Sequence, residues 1–214
     1  MSITKIAAKG VTLRIGTVAA AVTSITLSST TATVVTTAAH GLVTGDIVLI
    51  AGAAQAEYNG VKQITVTDST TFTFTAASGT ASPATGTITF LGANKTYEGL
   101  KTITPSMGER GMINVTTHDS SVSKEYVPAA LIETAQLDVE ASYDSADTVH
   151  ELMRAAHEAG STIIYSFTLP DAGAAKWSGF GICTAWAIPT LDPEESDLAH
   201  SFTIKGKSKS YFNQ

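Results

Sequence analysis

A chain of 214 residues with 43% hydrophobic and 15% charged residues is long enough for one large domain or two small ones, and too apolar to stay disordered. Its formal net charge of −6 argues against a protein built to grip phosphates, which needs clustered Lys and Arg. The single cysteine, Cys183, excludes an internal disulfide, and no stretch approaches the roughly 18 apolar residues of a spanning helix.

From the N-terminus, MSITKIAAKG carries no apolar signal core, so residence in the cytosol is expected unless the chain leaves within an assembled particle. Val11, Leu13 and Ile15 alternate with Thr12 and Arg14, and Gly16 ends this first strand. From Thr17 to Phe90 the only charges are Asp46, Glu57, Lys62 and Asp68, in a background dense in Thr, Ala and Gly. Strands are expected at 32–37 and 46–50. A hairpin over 63–75 should match Ile64 and Val66 with Phe72 and Phe74 across Asp68-Ser69-Thr70. Asn59-Gly60 reads as a tight turn. Gly86 to Phe90 closes a compact all-β module.

Beyond Leu91-Gly92-Ala93-Asn94 the composition shifts back. Residues 95–105 and 111–115 read as strands around a turn at 107–111. Ile113 to Asp144 then reads as a half-buried strand, a polar loop over Thr116 to Lys124, and strands around Tyr126-Val127-Pro128 and Leu137–Val139. A loop of that length exceeds what a tight turn needs, and it holds no catalytic constellation, so contact work is expected of it. One helix is expected over 146–159. Val149, Leu152, Met153 and Ala156 form its apolar stripe, Asp144 or Ser145 its cap, Thr148 with Glu151 a capping box, and Gly160 its stop. Apolar strands follow at 162–169 and 177–189, the second with a bend at Gly179 and Gly181. An acidic loop over 191–197 precedes a last strand at 198–212, where Lys205, Lys207 and Lys209 are expected to guard a solvated edge.

No catalytic, cofactor-binding or metal-binding residue is expected, and the chain is not expected to be an enzyme. His150-Glu151-Leu152-Met153-Arg154 begins like a zincin helix, but Arg154 stands where the second histidine is required. His150 and His157 are read as solvent-exposed helical histidines. His118, Asp119, Ser120 and Ser121 make a triad only on paper, because adjacent strand residues face opposite ways. The glycines at 79, 86 and 92 open no phosphate loop. Asp192, Glu194, Glu195 and Asp197 lack the ligand spacing of a calcium loop. Cys183, in a Gly-interrupted apolar run, reads as a buried small residue rather than a nucleophile.

The order of Gly10-Val11-Thr12-Leu13-Arg14-Ile15-Gly16, Tyr97 to Thr104, Ile113-Asn114-Val115-Thr116-Thr117-His118-Asp119-Ser120, Lys124-Glu125-Tyr126-Val127-Pro128, a Leu-Asp-Val strand and one helix resembles the major tail tube proteins of long-tailed, non-contractile bacteriophages. The resemblance covers residues 3–16 and 95–212. The insert carries Ala39-His40-Gly41-Leu42, Thr44-Gly45-Asp46, Tyr58-Asn59-Gly60 and Thr71-Phe72-Thr73-Phe74, and resembles the small β modules named for the FCCH region of ubiquitin-activating enzymes. Minimal members of the tube family have only a short connection at that place.

The expected class is mainly β (α+β). The resemblance implies a β-sandwich or barrel tail-tube domain over 1–16 and 95–214 with one packed helix, and an inserted all-β module over 17–94. It also implies hexameric rings of this chain stacked into a virion tail tube, assembled in the host cytoplasm. The implied partners are a tape-measure protein, tail terminator and tip proteins, and double-stranded DNA that passes without specific binding. The loop of Thr116, Thr117, His118, Asp119, Ser120, Ser121 and Lys124 would contact the next ring, and its deletion would block stacking more than folding. Asp119, Glu125, Asp138 and Glu140 are candidates to line the lumen, where acidic groups repel DNA and let it slide. The alternatives are an adhesin-like carbohydrate-binding insert, with Tyr58, Phe72 and Phe74 stacked on sugar rather than forming its core, a ring protein at the tube's end, and a hydrolase using His118 or the acidic loop.

Overall fold

Alternating side chains make the first strand two-sided: in β1 (Thr12–Gly16), Leu13 and Ile15 are buried on one face and Arg14 leaves from the other. The structure is a computed structural model and describes residues 10–106, 108, 110–115, 124, 126–132, 134–170, 175–187, 198–207 and 211–213. The chain is mainly β, of the α+β class, with one α-helix among the described residues.

After β1 the chain enters a module made of β2 (Ala20–Ser28), β3 (Thr31–Thr36), β4 (Ile47–Ala51), a 3-10 turn at Ala56–Tyr58, β5 (Gly60–Gln63), β6 (Thr65–Val66), β7 (Thr71–Thr75) and β8 (Thr89–Gly92). These pair in the order β5-β4-β8-β2-β3-β7-β6. The start of β2 pairs with β8 and the rest with β3, and a register shift between Val22 and Ser24 separates the two pairings. The core is Ile25, Val34, Ile50, Tyr58, Phe72 and Phe90 with their neighbours. Tyr58, Phe72 and Phe74 are all buried, which corrects any reading of them as sugar-stacking platforms. The hairpin over 63–75 has Val66 opposite Phe72, as its alternation requires.

The larger unit holds β9 (Lys95–Thr96), β10 (Leu100–Ser106), β11 (Arg110–Asn114), β12 (Tyr126–Ile132), β13 (Gln136–Ser142), α1 (Thr148–Ala159), β14 (Thr162–Thr168), β15 (Lys176–Trp186), β16 (Ala199–Gly206) and β17 (Tyr211–Asn213). Its main sheet runs β10-β13-β16-β15-β14-β1-β9, antiparallel throughout, with β17 also on β15. One face of this sheet packs Leu13, Val139, Tyr165, Phe167, Phe202 and Ile204 against Val149, Met153 and Ala156 of α1. The helix is capped by Asp147, whose carboxylate accepts the Val149 N–H at 2.7 Å, and it stops at Gly160 in a left-handed conformation. Asp144 does not cap the helix; its side chain accepts the Ala146 N–H and forms a turn one step earlier.

Several expectations change. β10 and β11 do not form a hairpin with each other: β10 joins the main sheet and β11 pairs with β12 in a separate two-stranded ribbon. The last strand is two strands, β16 and β17. Lys205 lies on β16, which is paired on both sides, so it is solvated on a sheet face and guards no edge. Lys207 donates to Thr162 Oγ1, and Lys209 lies outside the described residues. The bulge in β15 falls between Cys183 and Ala185 rather than at Gly179 and Gly181. Those glycines serve close approach instead: a Cβ on Gly179 would meet the Tyr165 ring and one on Gly181 the Lys205 carbonyl. His150 is buried at 1% exposure rather than solvent-exposed, because the segment around Tyr97 covers the end of the helix.

Candidate assembly surface

Strands β11 and β12 pair only with each other among the described residues. Met112 lies opposite Pro128 and Asn114 opposite Tyr126 on one face; Ile113 lies opposite Val127 on the other. Met112 is 60% exposed, Ile113 55%, Tyr126 and Val127 each 49% and Val115 39%. Apolar side chains therefore stand in solvent on both faces of a ribbon. A two-stranded ribbon of this kind is marginally stable alone and exposes a patch that monomers seldom carry. Ile113 and Val115, expected on a half-buried strand, are 55% and 39% exposed, and among the described residues no element packs over either face of the ribbon.

The ribbon follows directly from β10, the terminal strand of the main sheet, whose outer edge pairs with no strand among the described residues. An unpaired edge beside an apolar ribbon presents both backbone and side-chain partners to a neighbour. The sheet face opposite α1 is divided. Over β1, β14 and β15 it is covered by the inserted module through Ile47, Leu91 and Ala93 against Ile164, with Phe180 packed alongside. Over β10, β13 and β16 no described element covers it, and it is polar: Thr102 lies beside Glu140 and Ser201, Thr104 beside Asp138 and Thr203, and Gln136 beside Lys205.

Two of the proposed lumen residues thus share one face. Glu140 is exposed. Asp138 is half-buried and accepts from Gln136 Nε2 at 2.9 Å and Thr203 Oγ1 at 2.6 Å, so its carboxylate is held in the sheet plane. Lys124 is exposed at the far end of the ribbon. Thr116, Thr117, His118, Asp119, Ser120, Ser121 and Glu125 lie outside the described residues, as do Asp192, Glu194, Glu195 and Asp197.

The module's signature residues act inside the fold. His40 accepts the Leu42 N–H through Nδ1 and contacts the Asp68 carbonyl through Nε2. The Asn59 side chain bonds both the N–H and the carbonyl of Ala53. Asp46, fully buried, accepts the Val43 N–H and forms ion pairs at 2.9 Å with Arg14 and Lys176 of the main sheet. Arg14 also donates to the Gly41 carbonyl. The insert is thereby fastened to the sheet by a three-charge cluster as well as by apolar contact.

Among the described residues no group of three or more His, Cys, Asp or Glu side chains converges as a metal site, and no helix is long and apolar enough to cross a membrane. No protein-family model matches the chain, and no curated protein matches its sequence. The signal for the ribbon was present in the sequence as adjacent apolar pairs, Met112-Ile113 and Tyr126-Val127. In a strand such pairs put apolar groups on both faces, which fits either a fully buried strand or an interface.

Proposed function

We propose that this chain is a structural subunit that joins copies of itself into rings stacked as a tail tube of the long-tailed, non-contractile phage type, through which double-stranded DNA passes without being held. The observation that carries this reading is the β11–β12 ribbon, apolar on both faces and set beside the open edge of β10. Burying five half-exposed apolar side chains contributes on the order of 5 kcal/mol per subunit, enough to drive association once rings close and every subunit gains the same contact twice. The polar face with Asp138 and Glu140 supplies a surface that duplex DNA does not grip. The inserted module, on the other half of that face, is fixed by its charge cluster and does not compete for the ribbon.

Electron microscopy and sedimentation of the purified chain over a range of concentrations test this reading. Rings or tubes with an open centre are expected. A monomer at every concentration overturns it. Single rings that never stack point instead to a ring protein at a tube's end. Shortening the connection between β11 and β12 over residues 116–123 is expected to reduce tube length while leaving the folded subunit intact.

A further inference from the structure

Six rings meet under the corner between β9 and β10: Tyr97, Tyr143, His150, Trp186, His200 and Phe202. Tyr97 stacks on His150 with centroids 4.6 Å apart, the two imidazoles are 5.0 Å apart, and Trp186 is 5.0 Å from His200. His150 and His200 are 1% and 2% exposed.

Their hydrogen bonds fix what each ring can hold. His150 Nδ1 accepts the Asp144 N–H at 3.1 Å, so the hydrogen of the neutral ring sits on Nε2, which makes no hydrogen bond. His200 Nε2 shares a hydrogen with the Tyr97 hydroxyl at 2.5 Å, and its Nδ1, toward the Ala141 carbonyl, makes no well-formed hydrogen bond. A second proton on His200 creates a buried charge beside another imidazole. A second proton on His150 occupies the lone pair that holds the Asp144 amide at the entry to α1.

The groups facing the pair come from every packed element. They are Tyr97 from the β9–β10 corner, the Ala141 carbonyl and Tyr143 from β13 and its end, Asp144 and Asp147 from the loop before α1, Glu151 from α1, and Cys183 from β15. Asp147 lies 3.7 Å from His150 Nε2, but its other carboxylate oxygen is committed to the helix cap. Glu151 is shared between Tyr143 and Arg154. The free Asp147 oxygen faces His150, and among the described residues no carboxylate forms an ion pair with His200.

We propose that His200, packed against Tyr97, His150 and Trp186, is an acid-sensitive latch that holds the β9–β10 corner on the sheet when neutral and releases it on protonation. Burial, reinforced by His150, pushes the pKa of His200 down from 6.5 to about 4, with the Ala141 carbonyl offsetting a part. A base with a lowered folded-state pKa contributes stability that is complete above the unfolded value and is lost as pH falls from 6.5 toward 4. The corner it holds leads through β10 to the exposed ribbon, so release loosens the edge beside which that ribbon stands. The latch stands on this cluster alone and does not require the chain to form rings.

The test uses the full chain with Trp177→Phe, which leaves Trp186 as the only reporter of the two tryptophans. A charged imidazole 5.0 Å away quenches it. Acidification is expected to quench Trp186 and erase its near-ultraviolet dichroism with a midpoint between pH 6.5 and about 4, while far-ultraviolet dichroism persists. His200→Gln keeps an amide toward Tyr97 and does not titrate; His150→Asn keeps an acceptor for the Asp144 amide. His200→Gln is expected to remove this step, and His150→Asn, which takes away the neighbouring imidazole that lowers His200, to move it to higher pH. A midpoint at 6.5 or above, a step unchanged in both variants, or a Trp186 response only on global unfolding overturns the proposal. If the variants do not fold, proton NMR of the unaltered chain decides: His200 titrating between 6.5 and about 4 together with a Tyr97 ring shift supports the latch, and titration at 6.5 or above overturns it.

Discussion

Asp46 and Lys176, 130 positions apart, meet at 2.9 Å across the boundary between the inserted module and the main sheet. The Asp46 carboxylate has no solvent exposure, and its second oxygen takes Arg14 and the Val43 N–H. Removing the carboxylate's charge leaves a guanidinium and an ammonium with 15% and 12% side-chain exposure and no counter-charge. Asp46→Asn is therefore expected to cost about 3–5 kcal/mol in equilibrium urea unfolding. The combination Arg14→Met, Asp46→Leu, Lys176→Met is expected to recover much of that loss, because burying three charges is itself expensive.

Entry to and exit from the module are pressed together at a second point. A Cβ on Gly16 would lie 1.9 Å from the Gly92 carbonyl oxygen, a backbone atom that cannot swing aside. Gly16→Ala must separate the end of β1 from the end of β8, and so pull the module off the face it covers. A loss above about 3 kcal/mol is expected in thermal or denaturant unfolding. Gly160→Ala, with open space around it, should cost only the roughly 1 kcal/mol of its left-handed backbone.

Local pattern carried much of the fold. The spacing of Val149, Leu152, Met153 and Ala156 marked the helix and its stripe, although Leu152 is only half-buried, and alternation marked the hairpin of β6 and β7 to the matching pair Val66–Phe72. What local pattern could not contain was the covering of one element by a distant one. His150 sits beside that stripe, and only the arrival of Tyr97 and His200 from far along the chain buries it. Asp46 was legible only as the start of a strand, because Arg14 and Lys176 reach it from separate strands. Ile113 and Val115 failed in the opposite direction: their alternation promised a covered face, and no segment among the described residues supplies the cover. Asp138 and Glu140, candidates by position only, lie two apart on β13, and the strand's period of two sets them on one face.

Cys183 offers a pH-dependent check on the main core. Burial pushes its thiol up from 9.0 to about 11, while the Ala185 and Thr203 backbone groups pull weakly the other way. An acid whose folded-state pKa is raised contributes stability that is complete below the unfolded value. That stability is lost as pH rises from 9 toward 11. The melting temperature is expected to fall across that window more in the native chain than in Cys183→Ala, which has no thiol to ionise. At pH 8 a thiol reagent should label Cys183 only as fast as the sheet opens, so added urea should accelerate labelling in step with unfolding.

The ribbon allows the sharpest separation of folding from assembly. Ile113 and Val127 face each other across β11 and β12, are about half exposed, and belong to neither hydrophobic core. Replacing both with Ser removes apolar surface that the single subunit buries only by half and outside its cores, so its unfolding free energy should fall by no more than about 1–2 kcal/mol. In an assembly the same two residues lie at a contact repeated around each ring, and each lost contact costs roughly 1 kcal/mol or more. The double variant should remain a folded monomer at concentrations where the unaltered chain associates, as read by sedimentation velocity. Equal association of the two chains would mean that the ribbon is not the joint. A large loss of stability in the variant monomer would mean that the ribbon is covered within the subunit after all.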